Sequence, residues 1–323
     1  MRKLIIQIPC YNEEEILGTT LKELPKKLPG IDCIEWLIIN DGSVDSTVEI
    51  AKAHGVHHIV NLTYNHGLAK AFMAGIDASL KAGADIIVNT DADNQYYAED
   101  IPRLIAPILA GQAEFVVGER PIDKIKSFSK AKKMLQKLGS WVVQIASQTK
   151  IPDATSGFRA YTRNAAMQLN VFDQYTYTLE TIIQAGQRGM AITSVPIRIN
   201  NYTRPSRLVQ SNSAYVKKSI LTIIRIFMTY RPLKFFAILG SIPISLGLML
   251  WVRWLILIAQ ESSRTRAPSL IVSSVAILAG VQLILFGLVA DLMSVNRKIL
   301  EDIQLRQRHI AYGSDPVDGS KSV

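Results

Sequence analysis

Ile86-Ile87-Val88-Asn89-Thr90-Asp91-Ala92-Asp93-Asn94-Gln95-Tyr96 is an apolar, β-branched run that ends in two carboxylates one residue apart. It reads as a buried strand that delivers Asp91 and Asp93 to its C-terminal end. In open α/β sheets, ligands bind at the carboxyl ends of strands. Two carboxylates this close repel unless positive charge lies beside them, and a divalent cation is the natural partner. Oxygen ligands favour Mg²⁺ or Mn²⁺, and Mg²⁺ is usually held by one or two carboxylates plus a substrate's phosphates. An Asx-rich turn would use the same tripeptide, so the flanking chain has to decide.

The flanks repeat a strand–loop–helix rhythm. Residues 4–9 form a short apolar strand, and Asn12 is placed to cap a helix running to about Leu28. Residues 36–40 make a second strand that ends in Asp41-Gly42-Ser43-Val44-Asp45-Ser46-Thr47, a turn and helix start. Residues 59–62, 84–90 and 113–117 supply three more strands, with helices expected from Gly67 to about Ala82 and over 98–109. Such alternation predicts βαβ units and a mostly parallel sheet. The loops after the strands then gather Pro9, Tyr11, Asn12, Glu13, Asp41, Asp45, Asp91 and Asp93 on one edge. Neither G-x-G-x-x-G nor a P-loop follows the first strand, so a glycine cradle for phosphate is not expected.

The chain of 323 residues carries a net charge of +9 and 48% hydrophobic residues, with a mean hydropathy of +0.17. Cys10 and Cys33 have no metal-ligand spacing and suggest no disulfide framework. Met1-Arg2-Lys3 leads into a strand and not into a signal peptide. The basic charge is clustered. Residues 198–234 hold Arg198, Arg204, Arg207, Lys217, Lys218, Arg225, Arg231 and Lys234 with no Asp or Glu, and residues 120–137 hold Arg120, Lys124, Lys126, Lys130, Lys132, Lys133 and Lys137 against Asp123 alone. Clusters of this kind suit a polyanionic partner. Nucleic acid would satisfy the charge, but not the carboxylate pair or the apolar C-terminal third.

Four motifs occur in order: Pro9-Cys10-Tyr11-Asn12-Glu13-Glu14, Asn40-Asp41-Gly42-Ser43-Val44-Asp45-Ser46-Thr47, Asp91-Ala92-Asp93-Asn94-Gln95 and Thr155-Ser156-Gly157-Phe158-Arg159. Residues 3–210 thereby resemble the family 2 inverting glycosyltransferases, in particular the polyprenyl-phosphate branch of dolichyl-phosphate mannose synthase and GtrB type. The resemblance implies a GT-A fold, a UDP- or GDP-sugar donor, a polyprenyl phosphate acceptor and Mg²⁺ or Mn²⁺. It implies donor contacts at Pro9, Tyr11, Asn12, Glu13, Asp41, Gly67, Asp91, Ala92 and Asp93. It assigns the metal to Asp91, Asp93 and Gln95, catalysis to Asp153, Asp93 and Arg159, and the acceptor phosphate to Arg120, Lys133 and Lys137. Lys133 stands where related synthases place an Arg, and Lys137 where they place a Ser. The charge is kept there but bidentate recognition is not.

A phosphate monoester acceptor, with a second pKa of about 6, is mostly a dianion at pH 7 and needs no strong general base. It needs positive charge to position it, which residues 120–137 supply. Asp153 is read as either a proton acceptor or a group that holds Arg159 and the lysines. His57, His58 and His66 read as structural or surface residues.

Residues 235–259 and 270–290 are apolar and each reaches the ~20 residues that span a bilayer. The first holds one charge, Arg253, and the second none. They predict a transmembrane hairpin over 235–291, preceded by a juxtamembrane amphipathic helix over 211–234. A C-terminal tail, 292–323, follows and is polar and disordered from Gly313. Basic residues flank the hairpin on its outer ends, which puts the catalytic domain (1–210) and the tail in the cytoplasm. A bacterial inner membrane fits, and a homo-oligomer is compatible with the sequence. Three other readings remain open: a transferase with another lipid or polysaccharide acceptor, a nucleotidyltransferase, and a nucleotide-sugar-binding membrane scaffold without activity. A processive synthase would carry Q-x-x-R-W, and Gln187-Arg188 lacks the tryptophan.

Overall fold

Seven strands pair into one sheet in the order β3-β2-β1-β4-β6-β5-β7. They are β1 (Lys3–Cys10), β2 (Cys33–Asn40), β3 (His58–Asn61), β4 (Ile86–Asn89), β5 (Phe115–Glu119), β6 (Arg159–Thr162) and β7 (Ile192–Pro196). The computed structural model describes residues 1–122, 130–171, 177–200, 221, 224–225, 228–259 and 267–312. The first five strands fall where the alternation predicts them, with ends shifted by up to three residues. β6 is the exception to parallel pairing. It runs antiparallel to both β4 and β5 and sits between them. No strand was expected there, because its four residues follow the Gly157 turn directly and are too few to show a period.

β1 lies at the centre, paired with β2 on one side and β4 on the other. Leu4, Ile5, Ile6 and Ile8 are fully buried, as a strand covered on both faces requires. Helices α1 (Leu17–Glu23), α2 (Thr47–Ala53), α3 (Leu68–Lys81), α4 (Ile101–Leu109), α5 (Lys130–Ser147), α6 (Arg163–Gln168) and α7 (Thr178–Gln187) complete this part of the chain.

Asn12 does not cap α1. It takes a left-handed φ of 53°, and its Oδ1 accepts from Val44 N at 2.9 Å in the next loop. α1 accordingly starts four residues later than the Asn12 cap would place it. It stops at Glu23 because Leu24, extended at ψ 138°, precedes Pro25, which disfavours helical backbone in the residue before it.

The chain forms two compact units, Met1–Ile220 with Ile303–Val323, and Leu221–Asp302. The second contains α8 (Pro232–Ala259) and most of α9 (Ala267–Tyr312). Their mean hydropathies over an 18-residue window are 2.1 and 2.3, with only 11% and 17% of those windows buried. Small residues let α8 and α9 meet backbone to backbone: a Cβ on Gly240 would lie 2.6 Å from Gly280 O, and one on Gly247 2.8 Å from Ser273 O. Gly240 and Gly247 are seven residues apart, as are Ser273, Gly280 and Gly287, so the close seam repeats down the pair. The amphipathic helix expected over 211–234 lies mostly outside the described residues, as does the tail from 313.

α9 does not stop at the expected end of the apolar run. It continues to Tyr312, and its last turns belong to the first unit. There Arg308 donates to Met167 O at 3.1 Å and to Leu169 O at 2.5 Å, and pairs with Asp77 at 3.1 Å. Gln304 accepts from Asn170 Nδ2, and Tyr312 O accepts from Arg163 at 2.8 Å.

Candidate active site

β4 ends at Asn89, and the next residues form the loop with Asp91 and Asp93. Asn89 is a fully buried polar residue within the apolar run. Its amide accepts from Gln7 of β1 at 2.9 Å, and donates to Gly157 O at 2.9 Å and Tyr177 Oη at 2.8 Å. On the other side, Gly157 N donates to Tyr96 Oη at 2.9 Å. The Tyr96 ring stacks on Phe158 at 5.1 Å, and Tyr177 stacks on Phe72 at 3.9 Å. Gly157 is thus clamped beside Asp91, and a Cβ there would lie 2.9 Å from both Asp91 oxygens.

The Asp91 carboxyl is pushed up to about 7, first by burial and then by the charge of Asp93, against the pull of Arg120. The nearby Tyr96 hydroxyl pulls it down as well. Asp93 Oδ1 accepts from Gln95 N at 3.1 Å. Among the described residues, no three His, Cys, Asp or Glu side chains form a cluster that could hold a metal. The pair still fits a hard divalent cation. Two oxygen ligands repel each other, no cluster of His or Cys stands with them among the described residues, and Gly157 leaves room before Asp91 that a Cβ would fill.

Asp153 and Arg120 form a second element next to it. Arg120 Nε donates to Asp153 Oδ2 at 2.7 Å and Nη2 to Oδ1 at 3.0 Å, a bidentate pair with both partners buried. Thr155 Oγ1 takes another Nη2 bond at 2.7 Å. Burial raises the Asp153 carboxyl, but the Arg120 charge and these bonds outweigh it and hold it below the usual carboxylate range. Burial is the largest single influence on Arg120 and lowers it, but Asp153, Tyr96 and Asp91 together outweigh it and raise it, so the guanidinium stays charged. Of the two roles expected for Asp153, the geometry matches a group that orients a cation; the cation is Arg120.

Arg159, expected among the catalytic groups, is wholly buried. It donates to Ser156 O at 2.6 Å, Ala154 O at 2.9 Å and Thr181 Oγ1 at 2.6 Å. Its bonds to Ser156 O and Ala154 O brace the 153–157 loop. Asp41, expected on the donor side, also has backbone partners. It is buried, and its two oxygens accept from His66 N at 2.8 Å and Gly67 N at 2.9 Å. It therefore fixes the loop into α3, whose N-cap is Gly67 at φ 92°.

The first two motifs interlock. Asn12 N donates to Ser43 Oγ at 3.0 Å, Glu13 N to Thr47 Oγ1 at 2.9 Å and Glu14 N to Asp45 Oδ2 at 3.1 Å. Tyr11 stays exposed at this edge while Pro9 and Ala92 are buried. Ala92 O accepts from Thr20 Oγ1 at 2.9 Å, tying α1 to the carboxylate loop.

Lys137 is exposed on α5. Lys124, Lys126, Arg204 and Arg207 lie outside the described residues, as do the side chains of Lys130, Lys132 and Lys133. Sequence reading missed Asn89, Tyr96, Tyr177 and Thr155. Asn89 carried a signal, since a polar residue inside a buried strand needs a partner.

The family model described as glycosyl transferase family 2 matches residues 5–169. An undecaprenyl-phosphate mannosyltransferase of Micrococcus luteus is 31% identical over 61% of this chain and 83% of its own. An undecaprenyl-phosphate 4-deoxy-4-formamido-L-arabinose transferase of Proteus mirabilis is 26% identical over 96% of this chain and 93% of its own. Among solved structures, glucosyl-3-phosphoglycerate synthase of Mycobacterium tuberculosis, solved with Mn²⁺, UDP and glucosyl-3-phosphoglycerate, shares the fold. It has a TM-score of 0.53 and 19% identity over 69% of this chain and 80% of that one.

Proposed function

This chain belongs to glycosyl transferase family 2, and from that premise we propose that it moves one sugar from a UDP- or GDP-sugar to polyprenyl phosphate with inversion at the anomeric carbon. It is a membrane-bound glycosyltransferase. The observation that carries the acceptor assignment is the buried Arg120–Asp153 pair within electrostatic reach of Asp91. It sets a permanent cation beside the carboxylates suited to the donor's diphosphate. The named relatives that act on undecaprenyl phosphate support the same acceptor class.

In the reaction, an oxygen of the acceptor phosphate attacks the anomeric carbon. The bond from that carbon to the donor diphosphate breaks, and the nucleoside diphosphate leaves with the electron pair. Asp91 and Asp93, with Gln95 beside them, would hold a divalent ion that supplies positive charge to the departing diphosphate. Arg120, oriented by Asp153, holds the acceptor phosphate, with Lys133 and Lys137 of α5 adding charge. No proton has to be removed from a dianionic acceptor, which suits an Asp153 that stays ionised as a positioning residue. Tyr11 and Glu13, with Pro9, Asn12 and Ala92, line the donor side at the ends of β1 and β4.

The basic residues flanking the hairpin favour a cytoplasmic catalytic unit and C-terminus, in a bacterial inner membrane. The test is direct. Purified protein receives a panel of UDP- and GDP-sugars, Mn²⁺ and polyprenyl phosphate, and products are identified by mass. A polyprenyl-phosphate sugar formed from one donor supports the proposal. Transfer only to another lipid or to a growing glycan, or none at all, overturns it.

A further inference from the structure

α5 places Met134, Leu138, Trp141 and Ile145 at intervals of four, three and four residues. That spacing puts all four on one helical face. They are exposed at 65%, 43%, 55% and 40%. The face behind them is the packed one: Val143 and Ala146 are fully buried. Ser140 Oγ accepts from Ala154 N at 3.2 Å, and Gln144 Nε2 donates to Ile151 O at 2.9 Å. The apolar stripe is therefore not needed to hold α5 on the sheet.

Its surroundings say what would cover it. α5 contains Lys130, Lys132, Lys133 and Lys137 and no Asp or Glu. The same chain carries two helices long and apolar enough to cross a bilayer. A helix with an apolar stripe, a tryptophan within it, several lysines and no acidic residue has the composition of one that lies in a lipid interface. Lysines near anionic headgroups add attraction that a neutral surface does not give.

We propose that this face of α5 docks onto the anionic surface of the bilayer, so that the catalytic unit is held to the membrane at a point separate from the hairpin. Ser140 and Gln144 hold the segment with Asp153 from the opposite face. A docked α5 thus brings the Arg120–Asp153 pair to the lipid surface. That second step rests on the proposed transfer reaction; the docking itself does not.

The test uses the full chain with Cys33→Ser; Cys10 is buried and does not label. A nitroxide is placed on Leu138→Cys, or on Lys81→Cys at the exposed end of α3 as the control. Each protein is reconstituted in phosphatidylglycerol nanodiscs. Relaxation by oxygen, which concentrates in lipid, is compared with relaxation by a nickel chelate, which stays in water. Oxygen should dominate at position 138 and nickel at position 81. Trp141→Glu should leave the melting temperature unchanged, because the side chain is exposed, and should move the label at position 138 to the nickel-accessible side. Equal nickel access at both positions overturns the proposal, as does an oxygen-accessible label that Trp141→Glu fails to move. Spin–spin broadening at position 138 that disappears on dilution with unlabelled protein identifies a second copy as the occupant and also overturns it. A docked helix with no transfer to polyprenyl phosphate would count against the reaction and leave the docking standing.

Discussion

Gly157→Ala adds one methyl group where the structure has least room for it. The new Cβ would lie 2.9 Å from both Asp91 oxygens and 3.1 Å from Tyr177 Oη. Ordinary C···O contacts lie at about 3.3–3.6 Å, so roughly half an ångström has to be found. The backbone does not yield easily, because Gly157 N is bonded to Tyr96 and Gly157 O to Asn89. The Asp91 carboxylate moves instead. Overpacking of this kind costs about 1–3 kcal/mol of stability. Disturbing the group that orients a metal ligand costs about 10–100-fold in metal affinity or activity. Calorimetric Mn²⁺ titration and initial rates should both show such a loss, with a melting temperature a few degrees lower. Gly139→Ala is the control, since a Cβ there meets nothing within 4 Å; in the interior of α5 it should be neutral or stabilising by about 0.5–1 kcal/mol. Wild-type Mn²⁺ affinity and turnover in Gly157→Ala would refute the placement of Asp91 in the metal site.

The metal should compete with a proton, because the Asp91 carboxyl sits at about 7 in the metal-free protein. Mn²⁺ affinity should rise about tenfold per pH unit up to about pH 7 and then level off; calorimetry giving the same affinity at pH 5.5 and pH 7.5 would contradict this. The sign for stability is opposite: a folded value above the unfolded one favours folding at low pH. The metal-free protein should therefore lose about 1.4 kcal/mol per pH unit from this group between about pH 5 and 7, read by urea unfolding. Asp153→Asn leaves Arg120 a buried cation with a neutral partner and should destabilise by about 3–5 kcal/mol, while weakening the dependence of rate on polyprenyl phosphate far more than donor binding. A variant that keeps its acceptor affinity and loses only a proton-transfer limb in its pH–rate profile would restore Asp153 as a base. Arg308→Ala removes the ion pair to Asp77 and the bonds to Met167 O and Leu169 O. It should cost about 2–3 kcal/mol by urea unfolding of the catalytic unit, and an unchanged midpoint would show the contact to be idle. In intact cells, a cysteine at Ser263 should react with an impermeant thiol reagent and one at Ser314 should not; reversed labelling would place the catalytic unit outside.

The first five strands were legible because each is an apolar run that runs into a turn containing Gly, Asn or Asp, whereas β7, parallel to β5, was not expected. β6 was not either, since four residues after a glycine turn give no period and an antiparallel insertion leaves no mark on spacing. Asp91 and Asp93 could be located from the end of β4. The states of Asp153, Arg159 and Asp41 could not, because each depends on partners that only folding supplies: Arg120 in the first case, backbone carbonyls and Thr181 in the second, and backbone amides in the third. Asn12 misled for a related reason. Its side chain suits a helix cap, yet a bond to Val44 across the chain prevails over the local one. The length of α9 was missed because hydropathy reports where lipid ends and not where a helix ends. Beyond Asp291 the residues are strong helix formers such as Lys, Leu, Glu, Gln and Arg.

The return of the last turns of α9 to the first unit fixes an order of events in biosynthesis. The chain up to Ile220 leaves the ribosome first, and the next stretch, Leu221–Asp302, has to be made before Ile303 emerges. At about 5–20 residues per second this takes roughly 4–16 s. During that interval Met167 O and Leu169 O wait for Arg308, and Arg163 waits for Tyr312. The apolar helices are translated within that gap, so the unit that carries out the chemistry is completed by residues made only after them.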